Sequence, residues 1–195
     1  MDKLSILLFT AVQVLITNQL IAQKVQEPVD FQIYKEWQPF NPLKWEDFKG
    51  SRPDHYHGDA GSMVKIKAVP YFVKKKIKYD VYTLFNKTKS WALAQSPQLL
   101  AHEQLHFDIA ELYARKIRKR ILQLSREPGK KSDLKIYNNE IRKLLKESNE
   151  FDRLYDIETL HGSLPKKQKE WQNKVKSSLS ALKDFAKKGY TVGKH

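Results

Sequence analysis

The hydrophobic periodicity of this chain changes part-way along its length. Between residues 64 and 85, apolar residues alternate with lysines and other polar residues, which predicts two β-strands that each bury one face. From residue 97 onwards, apolar residues recur every three or four positions, which predicts three long helices over about 97–125, 132–162 and 165–188. Strands followed by helices predict an α+β domain, in which a small antiparallel sheet precedes the helices.

The first 22 residues have the pattern of a secretory signal peptide. A short charged start, Met1 to Lys3, precedes an apolar run over residues 4–16, and Ala22 offers a small residue for cleavage. The apolar run is shorter than the roughly 20 residues that a membrane-spanning helix needs. We therefore expect a cleaved signal peptide over residues 1–22, a secreted or periplasmic protein without stable membrane insertion, and a single domain over residues 23–195.

The composition narrows the kinds of site and partner. The chain has no cysteine, which excludes disulfides and thiolate metal sites, so any metal must be bound by histidine and carboxylate. The net charge is +14, but the lysines are spread over three segments and fall at helix positions that would face solvent. We therefore expect no nucleic-acid partner, and the basic surface would instead favour acidic substrates or an anionic cell envelope.

Residues 102–106 read His-Glu-x-x-His within the strongest predicted helix. At about 100° per residue, His102 and His106 differ by about 40° around the helix axis, so both imidazoles can reach one ion. Glu103 lies roughly 80° from their midpoint, close enough to contact a water at the metal without binding the ion. This spacing predicts a Zn²⁺ site at which Glu103 is the general base of a hydrolysis reaction.

A catalytic zinc usually has three protein ligands, and the same helix does not easily supply the third. Asp108 and Glu111 project about 140° and 160° away from the two histidines, so we expect them to be polar groups of the core or of the ligands' surroundings. The remaining candidates are His55, His57, His195 and the segment 155–162.

Two separated motifs carry a family resemblance. Residues 102–111 read H-E-Q-L-H-F-D-I-A-E, and residues 155–162 read Y-D-x-E-T-x-H-G. Together they resemble a bacterial domain family regarded as secreted zinc-dependent proteases, with a zincin-like active-site helix. Further similarity around Trp45, Trp91 and Trp171, which we expect in the core, extends the resemblance over about residues 43–175.

The resemblance implies roles for individual residues. It implies zinc ligation by His102, His106 and His161, with Asp156 as the second candidate for the third ligand. It also implies that Glu103 is the catalytic base and that Tyr155 donates its hydroxyl to the oxyanion formed at the attacked carbonyl.

The implied function is a zinc-dependent metallohydrolase, a protease that acts on a peptide or protein substrate. An exposed strand such as Ile77 to Phe85 would align an extended substrate by strand addition. Two alternatives remain open: a catalytically inactive zinc-containing scaffold protein of the cell envelope, and a basic module that binds anionic envelope polymers and needs neither histidine.

Overall fold

A computed structural model of the chain describes residues 29–73, 76–129 and 133–187. The predicted signal peptide over residues 1–22 and the candidate ligand His195 lie outside these ranges, so export stays a prediction. Within the described ranges, no helix combines the length and the apolar character that crossing a membrane requires.

The strands precede the helices and form two antiparallel sheets. Their bounds are β1 Tyr34–Glu36, β2 Ala60–Gly61, β3 Val64–Val73, β4 Lys76–Asn86 and β5 Trp91–Ala92. One sheet has the order β1-β4-β3, and β2 pairs with β5 in the other. The register of the β3–β4 hairpin runs from Val64 opposite Phe85 to Val73 opposite Lys76. With three helices after these strands, the α+β prediction is confirmed.

The position of β4 in the sheet corrects one prediction. Ile77 to Phe85 is not an exposed strand, because β4 is the central strand and pairs with β3 along its length and with β1 at its end. Ile77, Val81, Leu84 and Phe85 are buried. The edge strands of this sheet are β1 and β3, and β3, the longer of the two, is the better candidate for strand addition.

The N-terminal part of the described chain is more regular than its sequence predicts. Residues 34–36 form β1 within a segment that carries no alternating pattern, and Trp45–Asp47 form a 3-10 helix. Strand β4 ends at Asn86. The Asn86 side-chain oxygen accepts hydrogen bonds from the Thr88 and Lys89 N–H groups, both at 3.0 Å, and this turn ends the strand.

The first two helices begin at side-chain caps, as their sequences predict. Helix α1, Pro97–Leu124, starts after Ser96, whose hydroxyl accepts a hydrogen bond from the Leu99 N–H at 3.1 Å. Helix α2, Leu134–Thr159, is capped by the Asp133 carboxylate in the same way. Helix α3, Pro165–Ala181, ends earlier than predicted, and a 3-10 helix, Lys183–Phe185, follows it.

Helix α1 is the central element of the core. Leu105, Ile109 and Tyr113 pack against Tyr155 of α2 and Trp171 of α3. The opposite side of α1 packs on the sheet, where Ala114 and Ile117 contact Val81. A helix packed on several sides is a rigid support for a site that it carries.

A buried ion cluster fixes the middle of α1, and it explains Glu111. The Glu111 carboxylate accepts hydrogen bonds from the Thr83 hydroxyl at 2.8 Å, from Arg115 Nε at 2.9 Å and from Arg118 Nη1 at 3.0 Å. Arg118 also donates to the Val81 carbonyl at 2.8 Å. Glu111 therefore ties α1 to β4 and is a polar group of the core, as its angle on the helix predicts.

Candidate metal centre

His102 and His106 bring their ring nitrogens together on one face of α1. Their Nε2 atoms are 3.2 Å apart, and the ring centroids are separated by 4.7 Å with the planes at 83°. His102 is buried, and the side chain of His106 is only 13 % exposed. Two Nε2 atoms at this separation, facing one point, are the arrangement that the four-residue spacing predicts.

Asp156 of α2 supplies a third atom at the same point. Its Oδ1 atom lies 3.3 Å from His102 Nε2 and 3.1 Å from His106 Nε2. The three residues therefore form a group that could hold a metal ion. Within the described part of the chain, this group contains Asp156 and does not contain His161.

The spacing of the three atoms fits a zinc ion. Ligands about 2.0–2.1 Å from zinc in a tetrahedron lie about 3.3–3.4 Å from one another. The three separations here are 3.1, 3.2 and 3.3 Å. In addition, Asp156 Oδ1 is buried and makes no hydrogen bond of acceptable geometry with the described residues, although both rings are close. A buried oxygen without a hydrogen-bond donor is the state expected of a metal ligand.

The charges at the site also favour metal binding by Asp156. Burial alone would raise the pKa of Asp156, but the neighbouring His102 and His106 rings outweigh burial and lower it well below its usual value. The carboxylate is therefore ionised at neutral pH, which is the form that coordinates a cation.

The other ring nitrogen of His106 is held by a second carboxylate of α2. His106 Nδ1 donates a hydrogen bond to Asp152 Oδ1 at 2.7 Å. Metal-binding histidines typically make such a bond, because it fixes the tautomer and leaves Nε2 free for the ion. In the metal-free protein, burial would lower the pKa of His106, but its contacts with Asp152 and Asp156 raise it to about 10.

The second nitrogen of His102 is held by a tyrosine and a glutamine. The Tyr155 hydroxyl donates to Gln168 Oε1 at 2.7 Å and lies 2.6 Å from His102 Nδ1. The orientation of the Gln168 amide is supported by its contact from Nε2 to the Ala101 carbonyl at 3.4 Å. Since the single hydroxyl proton goes to Gln168, His102 Nδ1 donates its proton to the Tyr155 hydroxyl, and Nε2, which lies near Asp156, is the nitrogen left for a metal ion.

This contact gives Tyr155 a different task from the predicted one. Its side chain is fully buried, and the hydroxyl lies behind the His102 ring, on the nitrogen that faces away from Asp156. Burial raises the pKa of Tyr155 far above its usual value, so the hydroxyl stays protonated. Tyr155 therefore orients His102, and the structure does not place it as a donor to a substrate oxyanion.

Glu103 follows His102 on the helix and is 3 % exposed. Among the described residues, its carboxylate has no hydrogen-bond or ion-pair partner. Neither carboxylate oxygen is a buried atom without a partner, so the head group still reaches solvent. Its charge nevertheless acts on Tyr155, which locates it close to the group of three ligands. Glu103 is thus available to accept a proton beside the site.

The turn after α2 packs directly against His102. Leu160, His161 and Gly162 all have left-handed backbone conformations, with φ of 48°, 52° and 81°. A Cβ atom on Gly162 would lie 2.8 Å from His102 Cγ, so only glycine fits. The Thr159 hydroxyl anchors the turn by accepting a hydrogen bond from the Gly162 N–H at 3.2 Å.

The other candidates for the third ligand lie outside the metal-binding group. The side chain of His161 is 79 % exposed at the rim, with Nδ1 3.5 Å from Asp156 Oδ1. His55 and His57 are exposed in the loop before β2 and do not belong to the metal-binding group. Asp108 accepts hydrogen bonds from Trp37 Nε1 at 2.7 Å and Gln104 Nε2 at 2.8 Å, and so anchors the N-terminal segment to α1.

Sequence reasoning did not find Asp152 and Gln168. A signal for Asp152 does exist, because residues 152, 155, 156 and 159 recur at the spacing of one helix face, and each of them contacts the site or its turn. Gln168 belongs to the stretch around Trp171 that shares the family resemblance, but its role could not be predicted, since it reaches the site from α3 only after three helices have packed.

Comparisons with known proteins give one match. A family model described as "Bacterial protein of unknown function (DUF922)" matches residues 60–162, a stretch that contains β2 to β5, α1 and α2. No curated protein and no solved structure matches the chain.

Proposed function

The chain belongs to this bacterial family, DUF922, whose model spans more than half of it, and we propose that it is a zinc-dependent hydrolase that cleaves peptide bonds. One observation carries the proposal: three ligand atoms 3.1–3.3 Å apart, next to Glu103, whose carboxylate has no hydrogen-bond partner among the described residues. The resemblance of the two motifs to secreted zinc-dependent proteases supports it.

Zinc is the metal that these donors suit best. Two imidazole nitrogens and one carboxylate oxygen are the ligand types of catalytic zinc sites that have three protein ligands. Calcium and magnesium prefer oxygen ligands and higher coordination numbers, which two histidines do not provide. We therefore assign His102, His106 and Asp156 as the zinc ligands.

The residues around the ligands divide the chemical work. A bound zinc supplies Lewis acidity, which acidifies a water molecule and polarises a carbonyl group. Glu103 accepts the proton of the attacking water at its carboxylate and passes it to the leaving nitrogen. Asp152 and Tyr155 keep the two imidazoles in position, so that their Nε2 atoms need not reorganise during the reaction.

The outer edge of β3 is where an extended substrate would pair with the sheet. The Asn86 N–H donates to the Met63 carbonyl at 2.8 Å, so by alternation Val64, Ile66 and Ala68 direct their N–H and C=O groups away from β4. Pro70 has the same parity, and a proline without an N–H is tolerated at such an edge. Val64 and Ile66 line the same cavity as His106, so a peptide paired with β3 would pass beside the site.

Metal analysis and a peptide digest test the proposal together. Purified protein should contain about one zinc per chain, cleave members of a broad peptide library, and lose both zinc and activity on treatment with a chelator. Activity should return when zinc is added. A protein with full zinc content that cleaves no peptide would instead be the zinc-containing scaffold, and a protein without metal affinity would contradict both interpretations.

A further inference from the structure

A small cavity lies beside the metal-binding group, between the start of β3 and the middle of α2. Its volume is about 110 Å³. His106 and Asp152 form part of its wall, so the cavity begins at one ligand and at the carboxylate that holds it. We call it the side pocket, and its polar lining residues are Ser62, Lys65, His106, Ser148, Asn149 and Asp152.

Two serine hydroxyls of the side pocket have no hydrogen-bond partner in the described part of the chain. Ser62 Oγ on the β-strand side is buried and unpaired. Ser148 on the α2 side is only 7 % exposed, and no hydrogen bond involves its hydroxyl. Buried hydroxyls are normally paired, because removing one from water without a partner costs free energy. The Ser62 hydroxyl is buried, and the Ser148 hydroxyl still reaches solvent through the cavity. These two unpaired hydroxyls on different walls mark a place where a polar ligand can bind.

The charged groups of the side pocket already have partners. The Lys65 ammonium donates to the Tyr34 hydroxyl at 2.7 Å, and the Asp152 carboxylate accepts from His106 at 2.7 Å. The Asp152 carboxylate would repel an acidic group in the cavity, whereas the Lys65 side chain is exposed and its charge is screened by solvent, which disfavours a carboxylate ligand.

The volume limits the ligand further. At about 30 Å³ for each water-sized group, the side pocket holds roughly three or four such groups. The side chains of threonine and asparagine are of this size, whereas those of lysine and arginine are longer. Apolar walls formed by Ile109, Ala110 and Leu145 can cover the remaining methyl or methylene surface.

We infer that the side pocket binds a short, uncharged polar side chain of the substrate, such as threonine or asparagine, in a residue next to the cleaved bond. Ser62 and Ser148 are then specificity-determining residues, since they exchange hydrogen bonds with that side chain. This inference rests on the proposed function, and it adds the class of substrate residue that the site selects.

Peptides that differ by one isosteric replacement test the inference. Threonine and valine have the same shape, and asparagine and leucine have nearly the same shape. A difference in cleavage within each pair therefore reports hydrogen bonding and not size. At one position next to the cleaved bond, the zinc-loaded wild type should prefer threonine to valine by about 5- to 100-fold in kcat/KM, because valine leaves both hydroxyls unpaired.

Variants connect this preference to the side pocket. Ser148→Ala should reduce the preference for threonine several-fold with zinc content close to wild type, because the threonine peptide loses a hydrogen bond and the valine peptide no longer leaves the Ser148 hydroxyl unpaired. Ser62→Ala, on the opposite wall, should do the same, and it provides the test if Ser148→Ala does not fold. Ser177→Ala makes the same change at an exposed position of α3 and should leave the preference intact.

The outcomes distinguish this inference from the proposed function. If the wild type cleaves peptides but treats each isosteric pair alike at every position, the inference is wrong while the hydrolase proposal stands. The same holds if the preference exists but both serine variants keep it. If the zinc-loaded wild type cleaves nothing, the hydrolase proposal fails and the inference fails with it.

Discussion

Gly162 lies so close to His102 that replacing it with alanine should disturb metal binding from outside the ligand set. The added Cβ would lie 2.8 Å from His102 Cγ and 3.0 Å from Nδ1. The turn cannot easily retreat, because the Gly162 N–H is bonded to the Thr159 hydroxyl and the His161 N–H to the Asp156 carbonyl. We therefore expect the His102 ring to move instead.

Two physical effects set the magnitude. An alanine at φ of +81° costs about 1–2 kcal/mol in a left-handed conformation. Overpacking against the His102 ring adds about 1–3 kcal/mol. Because the same shift pulls Nδ1 away from the Tyr155 hydroxyl, we expect zinc affinity to fall about 10- to 100-fold, as when a supporting contact of a metal ligand is removed.

Gly129→Ala provides the matched control. Gly129 also has a left-handed conformation, with φ of +75°, but among the described residues no atom outside its chain neighbours lies within 4 Å of its added Cβ. It should therefore show the conformational cost alone, with wild-type zinc affinity. Urea unfolding of the metal-free proteins and competition titration with a zinc indicator measure the two quantities. Equal zinc affinities for the two variants would refute the role assigned to the contact with His102.

Three further changes follow from the same geometry. Tyr155→Phe removes the hydroxyl between His102 and Gln168. Competition titration should show that zinc affinity falls by about 10- to 100-fold. An affinity equal to that of wild type would mean that Tyr155 contributes packing alone. Asp156→Ala should lose most of its zinc by elemental analysis, whereas His161→Ala should keep it, and the reverse result would restore His161 as the third ligand. In the metal-free protein, Asp152 and Asp156 raise the pKa of His106 from 6.5 to about 10, although burial alone would lower it. The stability that His106 contributes is therefore complete below about pH 6.5 and is lost as the pH rises through about 10. Unfolding of the metal-free protein between pH 6 and 10.5 should show this loss, and Asp152→Asn should flatten it; a pH dependence unchanged in that variant would contradict the assignment.

Much of the fold was predictable because its signals are local. The alternation over residues 64–85 gives the β3–β4 hairpin, and Ser96-Pro97 fixes the start of α1. The end of α3 could not be predicted from the sequence. Apolar residues continue at helical spacing to Phe185, whereas the chain changes to a 3-10 helix at Lys183. There the main chain follows its tertiary contacts, because the carbonyls of Leu179 and Phe185 accept hydrogen bonds from arginines of α1.

The metal-binding group was predictable in the parts that one helix supplies. The spacing of His102 and His106 within α1 fixes their separation, whatever the rest of the chain does. The choice between Asp156 and His161 depends instead on where α2 ends. The helix is complete through Thr159, so Asp156 keeps a helical position facing α1, while His161 falls in the left-handed turn and points to solvent.

Glu103→Gln tests the central claim most directly. The change keeps the size of the side chain and removes the proton acceptor, and it alters neither a zinc ligand nor a contact that holds one. We predict zinc content and thermal stability close to wild type, and a loss of peptide cleavage of about a hundredfold to ten-thousandfold. Wild-type peptide cleavage by zinc-loaded Glu103→Gln would contradict the account.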